Sequence, residues 1–232
     1  MNISLKYKVL KIKTNECKEW FLKKHYAKRI PSISYAYGLY LDKTLEGVCS
    51  YGRPVAHALV KHAFDGYYQN NFLELNRLVI NDNLSKNSLS FFVSSTLKQL
   101  PLPTVVVSYA DTSLGHHGYI YQACNFIYTG LSAKRTDYKV KGIEHLHSAS
   151  LMDHAGRGLE KGKINKLKEM YGDDLYLEDR PRKHRYFYLL GNKKTVRLMK
   201  KRLTYPVEPY PKGDNKRYDS SYTPATQVLL PL

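Results

Sequence analysis

Between Ser108 and Gly118 the chain concentrates groups able to do chemistry: Ser108-Tyr109-Ala110-Asp111, then Thr112-Ser113-Leu114-Gly115-His116-His117-Gly118. A carboxylate, two imidazoles, three hydroxyls and a phenol within this polar, glycine-flanked stretch make it a plausible ligand site. Asp111 and the two histidines follow an apolar run, and open α/β sheets bind ligands beyond the carboxyl ends of their strands. Gly115 and Gly118 allow backbone to approach a ligand, and a helix opening just after them offers its N-terminus to an anion. Asp111 is the leading candidate for a catalytic group, with Ser108 and Tyr109 beside it. The alternative is an aspartate that caps the turn and histidines that are merely solvated.

The elements that position these residues follow from periodicity. Residues 104–109 (TVVVSY) read as a strand buried on both faces. A short helix is expected over 117–124, then a strand over 126–130. Upstream, 5–12 alternates as a strand. Residues 15–26 read as a helix burying Cys17, Trp20 and Phe21, with His25-Tyr26 at its end before Pro31. Strands are expected at 33–41 and 45–51, an irregular excursion at 55–71, and a strong strand at 72–80 (FLELNRLVI). A helix over 85–100, with Asn83 or Ser85 as its cap, is closed by Pro101 and Pro103. Further on, 163–171 reads as a short helix, 184–190 as a strand and 192–203 as a basic helix, before a Pro- and Tyr-rich tail expected to cling to the surface. Alternating strands and helices predict an α/β fold with a mixed sheet and a parallel central pair. Residues 1–150 are expected to form the core and 151–232 a basic extension packed on it.

Charge is the strongest bulk signal. The chain carries 37 Lys and Arg against 20 Asp and Glu, a formal +17. Residues 131–232 hold 22 of those cations and 12 of the acids. Such an excess points to a polyanionic partner, and 21 tyrosines add side chains able to stack on bases. Cys17, Cys49 and Cys124 are widely spaced within apolar patterns, which predicts buried thiols in a reducing compartment without a disulfide frame or zinc site. With no apolar run of membrane-spanning length and no signal-like start, a soluble cytoplasmic protein is expected.

Tyr121-Gln122-Ala123-Cys124-Asn125-Phe126 resembles the helix-to-strand segment of GNAT-superfamily acetyltransferases, and Glu74 to Ile80 (ELNRLVI) resembles the fourth strand of that fold. The ordered blocks ISYAYGLY, ELNRL, VVSYAD, GHHGYIYQACNFIYTG and RPRKHRYFYLLG resemble the Mom DNA-modification family of tailed bacteriophages over about residues 20 to 215. That resemblance implies a GNAT-like fold and an enzyme that adds a small carbamoylmethyl-type group to N6 of adenine in double-stranded DNA, shielding it from restriction. It implies acetyl-CoA or another activated acyl or aminoacyl donor, and an iron ion. For the metal it points to His25, Tyr26 and Asp111, with His25 and Tyr26 also assisting catalysis.

GNAT enzymes hold the donor pyrophosphate on a glycine-rich turn after the fourth strand. The corresponding segment here, residues 81–90, contains no glycine. Backbone amides at the helix start, with Asn87, Ser88 and Ser90 and with Tyr121 nearby, are the residues expected to hold the donor. Lys134, Arg135, Arg180, Arg182, Lys183, Arg185 and Lys212, together with Lys216 and Arg217, are candidate phosphate contacts. A target adenine would have to leave the duplex stack, and Tyr35, Tyr37 and Tyr109 are candidates for holding it. Two other functions fit the same residues: an N-acetyltransferase acting on protein or tRNA, and a non-catalytic DNA-binding module on an acyltransferase scaffold.

Overall fold

The structure, a computed structural model, describes residues 3–82, 84–146, 148–156 and 160–214. Asn83, Lys216, Arg217 and the rest of the tail beyond residue 214 lie outside the described residues. The chain divides into two units, Met1–Leu131 with Lys183–Leu232, and Ser132–Arg182 between them. Residue 150, the expected boundary, lies inside α5 (Ser148–His154). The strand and basic helix assigned to the extension belong to the first unit, because β9 (Lys183–Leu190) pairs within its sheet.

The first unit is the expected mixed α/β fold. Its sheet contains β1 (Tyr7–Lys11), β2 (Tyr35–Leu41), β3 (Thr44–Gly52), β4 (Phe72–Ile80), β5 (Thr104–Asp111), β6 (Ile127–Leu131) and β9, in the order β1-β2-β3-β4-β5-β9-β6. Only β4 and β5 run parallel among its described pairs. They stay in register for three residue pairs, from Phe72↔Val105 to Glu74↔Val107. Beyond Glu74 the two strands separate. A bulge opposite Ser50 and Tyr51 contributes to the parting: Ser50 pairs with Arg77 and Tyr51 with Leu75, leaving Asn76 as the extra residue. The Asn76 side chain is anchored away from the opening, accepting from Ser50 Oγ at 2.7 Å and donating to the Ser32 carbonyl at 2.8 Å.

Strand alternation sorts the core into two layers. One face packs Leu73, Leu75 and Val106 under Phe92, Val93 and Leu97 of α3 (Ser88–Leu97), with Tyr121 of α4 (Tyr119–Ala123) against the same cluster. The other face packs Phe72, Val105, Val107, Phe187 and Leu189 under α2 (His57–His62) and Met199 of α7 (Lys193–Arg202). α2 lies in the stretch read from sequence as irregular. Farther along the second face, Trp20 and Phe21 cover Val48 and Val79. The helix expected over 15–26 is a 3-10 turn at Thr14–Cys17 followed by a π-helical turn at Trp20–Lys24, which buries Lys24 as well as the apolar residues.

The edge strand β6 is covered by the described tail. Glu208 N–H donates to the Tyr128 carbonyl at 3.0 Å, and the Tyr210 hydroxyl donates to the Phe126 carbonyl at 2.6 Å. The remaining helix of this unit is a single turn, α1 (Ile3–Lys6). The second unit pairs β7 (Arg135–Val140) with β8 (Leu175–Arg180), both unforeseen in the sequence. It buries Val140, Leu151, Ala155 and Leu167 beneath α5 and α6 (Glu160–Tyr171). No described helix is long and apolar enough to cross a membrane.

Candidate active site

Where β4 and β5 part, a cavity of about 570 Å³ opens within the first unit. From one face of the sheet it is lined by His25, Tyr26, Glu74, Tyr109 and Lys183, and from the other by Asn87, Ser88, Ser90 and Tyr121. The parting of two parallel strands thus connects both layers. Each half of this lining comes from separate stretches of sequence.

On the α3 side, Asn87 takes the left-handed conformation at the helix cap with φ 69°. Its carbonyl accepts from Ser90 Oγ at 3.0 Å and from the Phe91 amide at 2.9 Å. The first turn of a ten-residue helix therefore borders the cavity; its Ser88 amide donates to the Ser85 carbonyl at 3.0 Å, which leaves the Leu89 and Ser90 amides for an anionic group. All four residues expected to hold the donor line this space, without a glycine-rich turn.

On the opposite side, the π-helical turn delivers His25 and Tyr26. Such turns are frequent at functional sites. The two rings stack at 4.3 Å, and His116 meets Tyr26 edge-on at 6.0 Å. His25 is buried, and its Nδ1 accepts from the Ala27 amide at 3.0 Å. Burial pushes its imidazole pKa down to about 3, with the charges of Arg77, His116 and Lys183 acting in the same direction. Burial likewise lowers His116, with His117 reinforcing and Asp111 opposing the shift.

Asp111 ends β5 directly opposite Lys183 of β9. Its Oδ2 is 2.8 Å from Lys183 Nζ, while Oδ1 accepts from the Ser113 hydroxyl at 2.6 Å and amide at 3.1 Å. Burial acts to raise this carboxyl, but Lys183 and the Ser113 donors outweigh it and hold the group below the usual carboxylate range. Asp111 therefore caps the 3-10 turn Thr112–Leu114 and fixes Lys183 at the cavity wall. The sequence reading of Lys183 as a phosphate contact differs from this placement: its ammonium faces a carboxylate in the site.

Ser108 is fully buried. Its hydroxyl donates to the Leu75 carbonyl at 2.9 Å, bridging β5 to β4 just where they separate, so it braces the opening instead of facing it. Tyr109 lines the cavity. Tyr37 lies in the core and Tyr35 packs beneath Lys11, away from the site. His117 falls in a separate aromatic group with His184 and Tyr186.

Two groups in the site went unassigned from sequence. Glu74, two residues after Phe72, shares its face of β4 and lines the cavity. Burial raises its carboxyl pKa, against Arg77, Lys183 and a Val55 backbone hydrogen bond. Arg77 donates through Nε and a terminal nitrogen to the Arg29 carbonyl at 3.2 and 3.1 Å, tying the loop after Tyr26 to β4. The signal was present in FLELNRLVI, where an acid, an amide and a base interrupt an otherwise apolar strand.

These residues give iron no support. Both Asp111 oxygens are engaged by Lys183 and Ser113, and His25 Nδ1 is occupied by a backbone amide. Among the described residues no group of three His, Cys, Asp or Glu side chains converges to hold a metal.

The remaining phosphate candidates separate by environment. Lys134 and Arg135 in the second unit and Lys212 in the first are exposed. Arg180 forms a two-armed pair with Asp137, and Arg182 Nε donates to the Ser132 carbonyl at 2.6 Å. Arg185 is a correction to the sequence reading. Only 7% exposed, it donates to Thr129 Oγ1 at 2.9 Å and to the Thr129 carbonyl at 2.8 Å, and its guanidinium lies 3.6 Å from the Tyr205 ring centre. It is a structural clamp.

Residues 6–212 match the Mom protein family. The protein described as Methylcarbamoylase mom of Escherichia phage Mu is 30% identical over 218 residues, covering 88% of this chain and 85% of its own. Solved structures that match include a GNAT-family acetyltransferase from Bacillus cereus, with a TM-score of 0.40 and 11% identity over 79% of this chain and 96% of its own. Another is a Bacillus subtilis acetyltransferase in complex with CoA, with a TM-score of 0.40 and 13% identity over 80% and 98%.

Proposed function

Because this chain belongs to the Mom protein family, we propose that it is a phage-type DNA-modification enzyme that transfers a small acyl-derived group to N6 of adenine. A group of the methylcarbamoyl kind is suggested by the name of the Mu relative. The modification would protect the DNA from restriction. The observation that carries the reading is the cavity through the parted strands, lined by Glu74, by the α3 amino end and by Tyr26 and His116.

In this reading the donor, acetyl-CoA or another activated acyl or aminoacyl compound, lies on the α3 side. Its anionic part meets the first-turn amides with Asn87, Ser88 and Ser90, and Tyr121 bounds the reacting end. The adenine, flipped from the duplex, enters from the other face against Tyr26 and Tyr109. As N6 forms its bond to the acyl carbon of the donor, the bond from that carbon to the donor's leaving group breaks and the leaving group departs on the α3 side, while Glu74, its carboxyl raised by burial, accepts the proton that N6 loses. Lys183, held by Asp111, supplies positive charge to the oxygen of the transferred group. No described cysteine lines the cavity, which favours direct transfer over a thiol-bound intermediate. Lys134, Arg135 and Lys212 remain as proposed phosphate contacts.

The test is mass spectrometry of nucleosides from plasmid DNA after expression in a host that supplies the donor. A heavier deoxyadenosine that disappears with Glu74→Gln is expected. An unchanged nucleoside profile with the native chain would overturn the reading.

A further inference from the structure

The cationic surplus is unevenly divided. Ser132–Arg182 contains 11 Lys and Arg against 9 Asp and Glu, leaving 26 cations against 11 acids for the first unit. Within that unit the densest concentration is α7, KKTVRLMKKR, with six cations in ten residues and no acid. Lys193, Lys194, Arg197, Lys200 and Lys201 are all exposed. Among the described residues none of these five has a carboxylate within ion-pair distance. At about 100° per residue they fall within about 120° of the helix circumference, outside the stripe of Val196, Met199 and Leu203, which pack into the core. Lys193/Arg197 and Arg197/Lys201 stand four apart as like charges, and two lysines sit in the first turn; both features weaken a helix in isolation. The helix is held by its buried stripe and by Asn192, whose side chain accepts from the Thr195 amide at 2.8 Å.

We propose that α7 is the docking helix for duplex DNA, gripping the phosphate backbone with Lys193, Lys194, Arg197, Lys200 and Lys201. Three observations commit the occupant. The five cations span about 12 Å of helix, over which a duplex presents about seven phosphate charges. The apolar side of α7 is consumed by the core, whereas a helix that lies in a membrane surface needs that side free. And α7 covers the face of the sheet that carries Glu74, Tyr109 and Asp111, the face from which the base enters, with Tyr109 packed against the same cluster as Met199. This inference rests on the DNA-modification reading for its choice of duplex, but it concerns a surface apart from the cavity.

The experiment is fluorescence anisotropy of a labelled DNA duplex with the full chain between 50 and 200 mM salt. It compares the native protein with Lys193→Gln/Arg197→Gln/Lys200→Gln and with a control, Lys8→Gln/Lys11→Gln/Lys43→Gln, that removes equal charge elsewhere. The α7 variant should keep the native thermal midpoint, and its slope of log affinity on log salt should flatten by about 2.7, about 0.9 for each lost contact. The control should keep the native slope. Equal slopes in all three proteins, equal flattening in both variants, or binding of phosphatidylserine vesicles without binding of duplex would each overturn the proposal. Native protein that binds duplex through α7 yet leaves every nucleoside unmodified would sustain the docking helix while removing the enzymatic reading.

Discussion

Asp111 and Lys183 face each other across β5 and β9, and their ion pair joins the end of the chemical loop to the wall of the cavity. Lys183 is separated from Asp111 by 72 positions in sequence, yet strand register alone sets them side by side. The carboxyl pKa is depressed in the folded protein, so its stabilisation is present above the ordinary carboxylate value and is lost as pH falls through the lowered one. Native protein should therefore lose stability relative to Asp111→Asn on acidification. Near neutral pH the variant should be weaker by on the order of 1 kcal/mol, since the lysine is partly solvated. Thermal unfolding of both proteins across the acid range measures this, and parallel curves would show that the pair contributes nothing.

Glu74 has the opposite sign. Burial raises its pKa, so the folded state favours the protonated form, and stability declines as pH rises through that raised value. Glu74→Gln should be at least as stable as the native chain at neutral pH, with the difference closing in acid. Modification should fall by about 10²- to 10⁴-fold. A Gln variant that modifies DNA at the native rate would remove Glu74 as the proton acceptor.

His25 should remain neutral throughout the physiological range, because its pKa is pushed down to about 3. The neutral form is the one that folds, so the stability His25 contributes is complete above its ordinary value near 6.5 and is lost as pH falls toward about 3. Imidazole NMR signals assigned through His25→Gln should show no titration between pH 5 and 8. A midpoint near 6.5 would contradict the buried, Ala27-bonded placement.

Arg185 should matter to folding and not to DNA. Replacing it with alanine removes two charge-assisted hydrogen bonds and the Tyr205 contact, and should cost about 2 kcal/mol. For a unit of this size that corresponds to a fall of about 4–8 °C in thermal midpoint. The salt slope of duplex binding should stay native in whatever fraction remains folded. A stable variant with a flatter slope would return Arg185 to the phosphate contacts.

Apolar spacing settled much of the fold within the chain itself. FLELNRLVI and TVVVSY read as strands, the 3-and-4 spacing from Leu89 to Leu97 gave α3, and a turn-capping Asp111 was the alternative to a catalytic one. The charge excess and the five family blocks were equally legible. What lies between Ser132 and Arg182 was not, since β7 and β8 are largely polar strands whose pairing leaves little periodic signal. The site was decided by tertiary structure. The bulge at Asn76 and the parting of β4 from β5 bring Glu74, the α3 amino end and the His25–Tyr26 turn to one cavity. Register carries Lys183 into the site and burial takes Arg185 out of solvent, though both belong to one basic run. Residue type and local period are properties of neighbours along the chain. Whether a charged side chain meets a carboxylate, a ring, a ligand or solvent depends on partners that only the folded sheet brings within reach.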